Sequence, residues 1–443
     1  MGKIKFDFEK VTGPMRPLHG ICNAPILGTD DALFHYLGEA GIPYSRLHDT
    51  GGRYGGYVFV DIENIFRNFD ADVDDPASYD FPFTDWLLAE LMKQGAEPFY
   101  RLGATIENSY ALNAYRIIPP KDPHKWAEIC AHIIAHYNEG WASGFHYNIK
   151  YWEIWNEPDN SPDMMNNPMW RGTKEQYFEL YEVTAKLLKA RFPDIKVGGY
   201  ASCGFYAIDD EKLVAAANVD ERTQYFLDFA HDFLAWITSD AHRAPIDFFS
   251  WHRYADARRN VRFAQYARKI LTDVGLDNVE SIFNEWNPGI ANRGLLWDAA
   301  LIAEMMCVMH RESDVSLMTY YDGQVNTSYG GMFDPVHERP FKAYYPFKAF
   351  NELYKLGQAV ELSIQGGHIT ALAAKGEGKR AIMLVNTSKR AEKCVLEGLP
   401  DGDMQLKLID HRHDLTDAGN VSVNDGHAEI NMGGYNVALL MAY

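Results

Sequence analysis

Tyr151-Trp-Glu-Ile-Trp-Asn-Glu-Pro-Asp-Asn160 is the stretch on which the fold reading turns. Its apolar core has strand length and strand composition, as a strand buried on both faces requires. Pro158 cannot donate to a ladder, so the strand closes ahead of it and Glu157 falls at the C-terminal end. Working outward, similar short runs occur at Leu18–Asn23, Tyr44–His48, Glu97–Leu102, Lys150–Asn156, Ile195–Tyr200, Asp247–His252, Ser281–Glu285 and Ser316–Tyr321. Amphipathic segments separate them. One opens at Asp122-Pro123, a cap and first-turn pair, and sets Trp126, Ile129, Cys130, Ile133, Ile134 and Tyr137 on one face. Another opens at Thr173 with Gln176 three residues on, a capping box. Eight strand–helix units predict an α/β fold, a closed (β/α)8 TIM barrel over residues 15–356.

After Leu356 the pattern changes to short alternating segments: Ile369–Ala374, Ala381–Asn386, Lys393–Glu397, Gln405–Asp410, Val421–Val423 and Val437–Met441. These predict a small C-terminal β-sandwich over 357–443. Residues 1–14 include the alternating Lys3–Glu9, expected to pack on that sandwich as an N-terminal strand.

Composition narrows the function classes. Of 443 residues 47% are hydrophobic, enough for a large core, and disorder is excluded for most of the chain. The net charge of −19 repels phosphate backbones and anionic lipid, so no nucleic acid and no membrane partner is expected. No apolar run reaches transmembrane length, and the N-terminal residues lack an apolar signal core, so the expected location is cytoplasmic. Five widely spaced cysteines read as reduced core residues. Aromatics reach 14%, an excess that suits stacking on sugar faces as well as an aromatic core.

The chemistry is read from two strand ends. Glu157 closes the fourth barrel strand, and Ser281-Ile-Phe-Asn-Glu-Trp286 places Glu285 at the end of the seventh. Two carboxyls then converge over the barrel mouth, where glycoside hydrolysis needs one to protonate the leaving oxygen and another to attack or to activate water. Arg46 and His48 end the second strand, and His252 and Tyr254 the sixth. An arginine and a tyrosine hydroxyl beside a nucleophilic carboxylate would keep it ionised, and that charge would keep its partner protonated.

These residues carry a resemblance. The chain resembles the family 39 glycoside hydrolases, a family of β-xylosidases and α-L-iduronidases within the clan of retaining barrel glycosidases. The likeness runs from His19-Gly20 through Tyr44-Ser-Arg-Leu-His48, Trp152-Glu-Ile-Trp-Asn-Glu-Pro158, Tyr177–Lys186, Lys196-Val-Gly-Gly199, Asp247–Tyr254 and Phe283-Asn-Glu-Trp286 to the Gly330-Gly331 loop. It implies that Glu157 is the general acid/base, that Glu285 is the nucleophile, and that Asn156 bonds the sugar 2-hydroxyl. Arg46, His252 and Tyr254 match positions that hold the nucleophile or the glycone. His48, Trp286 and Tyr321 join the expected substrate contacts. The chain departs from the family in having Tyr321 where members usually carry a nearby Trp beneath the sugar, and in lacking the longer final segment of the xylosidases.

The expected activity is retaining cleavage of terminal sugars from short plant-type oligosaccharides, β-xylosides first. Arabinose-, galactose- or uronate-containing glycans, and a non-catalytic sugar-binding barrel, are the alternatives. No metal and no organic cofactor is expected. His132 and His136, four apart, read as surface histidines, and His411-Arg-His413-Asp414 as a loop. Gly51-Gly-Arg-Tyr-Gly-Gly56 reads as a mobile loop after the second strand, next to the sugar. Phosphate-loop, nucleophile-elbow and zinc-protease motifs are missing.

Overall fold

Alternation within eight short strands decides which side chains meet at the centre of the molecule. The computed structural model describes residues 2–26, 32–50, 60–106, 116–209, 221–289, 294–325 and 331–442. The glycine-rich segment 51–56 lies outside them. Strand β1 spans Gly2–Pro14. The barrel then runs β2 (Gly20–Cys22), β3 (Tyr44–Leu47), β4 (Glu97–Leu102), β5 (Tyr151–Ile154), β6 (Lys196–Ser202), β7 (Phe248–Arg253), β8 (Glu280–Trp286) and β9 (Leu317–Tyr320). All eight pair in parallel and close from β9 back to β2. Each overlaps a run read from the sequence.

The interior is built in floors. Tyr44, Phe99, Tyr151, Phe248, Ile282 and Leu317 form an apolar floor. Two residues further along the same strands stand Arg46, Arg101, Glu153, Ser250 and Asn284, all buried and polar. The intervening residues, such as Tyr100, Trp152, Phe249, Trp251 and Phe283, face the helix layer and belong to the main core. A strand buried on both faces thus reads as apolar outside and mixed inside, with period two.

The two helices read from caps are present at Pro123–Asn138 and Lys174–Arg191. Asp122 accepts from the amides of His124 and Lys125, and Thr173 and Gln176 form the reciprocal box. His132 and His136 correct their reading. Both are buried, because the segment ahead of and into helix Pro82–Lys93 covers that side of the helix. Phe81 stacks flat on the His136 ring at 3.6 Å, and His136 bonds Asp85 and the Trp141 carbonyl. They are satisfied packing histidines, neither surface groups nor a metal pair. His411 and His413 do lie in a loop.

A two-residue hairpin, β10 (Phe333–Asp334) with β11 (Arg339–Pro340), follows the barrel. The remaining strands are β12 (Gln358–Gln365), β13 (Ile369–Gly376), β14 (Lys379–Asn386), β15 (Glu392–Glu397), β16 (Gly402–Ile409), β17 (Asp414–Val423), β18 (His427–Met432) and β19 (Val437–Ala442). With β1 they form nine strands in the order β17-β16-β19-β14-β13-β12-β1-β15-β18, mostly antiparallel. β1 pairs antiparallel with β12 and parallel with β15. Its Ile4, Phe6 and Phe8 share one core with Ala371 and Ala373 of β13, Ile382 and Leu384 of β14 and Ala438 and Leu440 of β19. The alternate residues Leu372, Met383 and Leu439 belong to the barrel's core instead. This burial on both faces explains the unbroken apolar run of β14.

Candidate active site

The end of β5 is not extended. The ladder stops at Ile154, and Trp155 and Glu157 both take left-handed backbone conformations, with φ of 73° and 46°. Such conformations cost about 1–3 kcal/mol each and persist only where surroundings hold them. Here the Trp155 amide bonds the Leu102 carbonyl at 2.6 Å and the Glu157 amide bonds the Ala201 carbonyl at 3.0 Å. The Trp155 indole is pinned by the Met169 carbonyl and by Trp170. The twist turns Glu157 over the barrel mouth.

Glu285 arrives there by a different device. The pairing of β7 with β8 slips between Trp251 and His252, which makes Asn284 an extra residue in β8. A bulge of this kind re-aims the side chains that follow it. Asn284 and Glu285 therefore both reach interior groups. Trp286 is displaced to the outer face, fully buried against Phe283 and Tyr320. The expected sugar contact at Trp286 is corrected on that ground.

The other expected residues meet. Arg46, fully buried, bonds Glu153 Oε2 at 2.8 Å, Glu285 Oε2 at 3.2 Å and Asn156 Oδ1 at 2.6 Å. Tyr254 donates its hydroxyl to Glu285 Oε1. His252 Nδ1 lies 2.8 Å from Glu157 Oε1 and 3.4 Å from Glu285 Oε2. Tyr321 meets Tyr254 edge to face, and its hydroxyl donates to Asp49. His48 is buried, and the charge of Arg46 reaches it. Glu157, His252 and Glu285 each offer a ligand atom within 4.8 Å of the others, so an oxygen of one glutamate stands within 4.8 Å of an oxygen of the other. A cation would fit this trio, but in this geometry its groups are engaged with one another and with Arg46 and Tyr254.

Several contributors were missed. Glu153 is the hub beneath the site: its Oε1 accepts from Ser250 Oγ and Asn284 Nδ2, each at 2.6 Å. A charged residue inside an apolar strand, two places after the inward Tyr151, was the available signal. Asn160 donates to Glu157 Oε2 at 2.8 Å and is itself held by Arg222. Cys203, buried as expected of a core thiol, also hydrogen-bonds Glu157. Asp159 accepts from Ser202 Oγ and the Cys203 amide.

Burial sets the protonation. It lifts Glu157 above the ordinary carboxyl range, against the pull of Asn160, Cys203 and Arg46. It also lifts Glu285, where His252, Arg46 and Tyr254 pull downward and Glu157 pushes upward. Arg46 and Tyr254 act in the expected direction on Glu285, but desolvation outweighs them. Burial lowers His252 to about 4, so the ring is neutral at pH 7. Asp159 is raised to about 7 by burial and by Glu157.

A closed eight-stranded barrel with two carboxyls joined over its C-terminal mouth is the architecture of the barrel glycosidases. Residues 30–289 match the family model described as "Glycosyl hydrolases family 39", and the chain belongs to that family. It is similar to a β-xylosidase of Geobacillus stearothermophilus, 25% identical over 68% of this chain and 52% of that protein. The chain thus spans about half the length of that relative. A β-xylosidase of Caldicellulosiruptor saccharolyticus is 24% identical over 78% of this chain and 69% of its own. In fold, the chain is similar to a glucosidase of Croceicoccus marinus, with TM-score 0.76 at 18% identity over 100% of this chain and 98% of that one. The GH39 enzyme of Xanthomonas axonopodis pv. citri gives 0.67 at 18% identity over 99% and 96%. No helix among the described residues is long and apolar enough to cross a membrane.

Proposed function

We propose that the protein is a retaining glycoside hydrolase that releases terminal sugars from short plant-type oligosaccharides, acting on β-xylosides. The observation that carries the mechanism is the approach of the Glu157 and Glu285 oxygens to within 4.8 Å. Retaining enzymes hold their carboxyls about 5–5.5 Å apart, whereas inverting ones leave about 6.5–9.5 Å for a water. The substrate rests on the two relatives named β-xylosidase.

Two carboxyls this close do not both ionise readily, and their partners divide the roles. Glu285 faces the Arg46 cation and the Tyr254 hydroxyl, so it carries the negative charge and attacks the anomeric carbon. Glu157 keeps the proton and delivers it to the leaving oxygen, then takes one from the water that hydrolyses the glycosyl ester. Arg46 ties the nucleophile to Asn156, which would meet the sugar beside the reacting carbon. Two carboxyls supply all of this chemistry without a metal or organic cofactor.

The test separates the glutamates. Glu285→Ala should lose activity on all glycosides, with azide restoring it to give an α-glycosyl azide from a β-glycoside. Glu157→Ala should keep its first step on nitrophenyl glycosides, lose about 10²–10⁴-fold on oligosaccharides, and give a β-glycosyl azide. Equal losses on both substrate classes, with no azide response in either variant, would overturn the assignment.

A further inference from the structure

A line of contacts leads from Glu285 along the barrel mouth to a carboxylate that the hydrolytic pair does not use. Tyr254, bonded to Glu285, meets Tyr321 with ring centres 6.4 Å apart and planes nearly perpendicular. The Tyr321 hydroxyl donates to Asp49 Oδ2 at 2.8 Å. Asp49 Oδ1 lies 3.2 Å from His48 Nε2 and 3.4 Å from the Ile106 amide. Gln324 fastens the Asp49 carbonyl at 3.1 Å, and the residue sits in the left-handed region with φ 54°. A carboxylate is thus held in one place, just beyond the end of β3, by its neighbour His48, by Ile106 after β4 and by Tyr321 and Gln324 after β9.

Its surroundings leave it partly open. His48 is 4% exposed, but the Asp49 side chain keeps 20% of its surface. A carboxylate offers about four lone-pair directions. Tyr321, His48 and Ile106 face three. Burial raises Asp49 to about 6, with Tyr321 and Arg101 pulling it back down, so it is anionic at neutral pH. An anion held rigidly along the barrel mouth accepts hydroxyl hydrogens strongly and rejects other anions.

We propose that Asp49, fixed by Tyr321, is a specificity-determining residue: it accepts a hydrogen bond from a hydroxyl of the terminal sugar and turns away a sugar bearing a carboxylate in that place. This rests on Glu157 and Glu285 being the hydrolytic pair. It selects neutral glycones over uronates within the range of sugars that the sequence leaves open. Asp49 takes no part in bond making or breaking.

The experiment compares nitrophenyl β-xyloside with nitrophenyl β-glucuronide at pH 7 in the wild type, Asp49→Asn, Tyr321→Phe and Glu285→Ala. Asp49→Asn should lose about 10–100-fold in kcat/KM on the xyloside, the worth of a hydrogen bond to a charged group. The preference for xyloside over glucuronide should narrow at least about tenfold. Tyr321→Phe should shift the preference the same way by a smaller factor. Where glucuronide turnover is too slow to follow, inhibition by free xylose and free glucuronate reads the same ratio. A merely structural role would lower both substrates together and leave the ratio unchanged in both variants, which would overturn the proposal while wild type and Glu285→Ala still differ. A wild type inactive on both glycosides, or a Glu285→Ala as active as wild type, would remove the hydrolytic reading and this inference with it.

Discussion

Glu153→Gln keeps the shape of the buried hub and removes its charge. In the native protein one oxygen takes Arg46 at 2.8 Å while the other takes Ser250 and Asn284 at 2.6 Å each. A glutamine has one acceptor oxygen and one NH2 group, so either Arg46 or the Ser250–Asn284 pair meets a donor. Removing one partner of a buried ion pair costs about 3–5 kcal/mol, because the other charge is left uncompensated. Arg46 retains Glu285 at 3.2 Å and Asn156 at 2.6 Å, so the low end applies, about 3 kcal/mol. That is a large fraction of the roughly 5–15 kcal/mol that holds a typical protein folded. The same change takes a negative charge from beneath the site. The charge of Arg46 then acts on Glu285 and Glu157 without that opposing carboxylate, and both lose their protons more readily. With Glu157 as the proposed acid, the alkaline limb of kcat/KM should follow loss of its proton and move toward lower pH. Urea unfolding followed by tryptophan fluorescence reads the first effect and a pH–rate profile the second. A variant with wild-type stability to within about 0.5 kcal/mol and a superimposable pH profile would refute the hub.

Asp159 has a folded pKa raised to about 7, so its contribution to stability is present below about 3.8 and is lost as pH rises toward 7. Asp159→Asn escapes that loss, and its stability relative to wild type should rise by about 2–4 kcal/mol between pH 4 and pH 8; a pH-independent difference in denaturation midpoint would contradict this. A Cβ at Gly198 would stand 2.1 Å from the Phe248 carbonyl oxygen, inside the β6–β7 ladder. Gly198→Ala should therefore be recovered insoluble or with a sharply lowered melting temperature, and a wild-type melting curve would show that the strands can separate cheaply. Dialysis against EDTA should leave activity unchanged, and a loss reversed by one divalent cation would mean that the Glu157–His252–Glu285 trio holds metal.

The fold was legible because its period-two signal is repeated eight times, and the site because proline and strand length mark where β5 ends. What escaped the sequence depends on local backbone that no periodicity announces. The bulge at Asn284 inverts the facing of Trp286, so a strict alternation from Ile282 would turn the tryptophan inward and Glu285 outward, the reverse of what the structure shows. His132 and His136 lie off the apolar stripe of their helix, and only the tertiary position of Phe81 and Asp85 makes that second face an interior one. Two strands of the nine-stranded sheet were missed for a related reason. β12 bonds β1 along most of its length and β13 at only two positions, while β18 bonds β15 across thirty residues of chain. Their partners are far away in sequence, and hairpin signals cannot find them.

The departures from local rules concentrate at the candidate site. Trp155 and Glu157 hold conformations that neither residue favours, while Arg46 and Glu153 bury opposite charges at a desolvation cost that an apolar layer would not carry. Consistency among propensity, pattern and packing holds through the helices and the outer face of the barrel, and it breaks along the inner face above the apolar floor. A scaffold selected for stability alone would continue that floor upward. The polar layer instead holds Glu285 between a fixed cation and a fixed hydroxyl, and the strained turn carries Glu157 to it from the other side. The cost in stability is local, and it falls on the residues that bring the two carboxyls together.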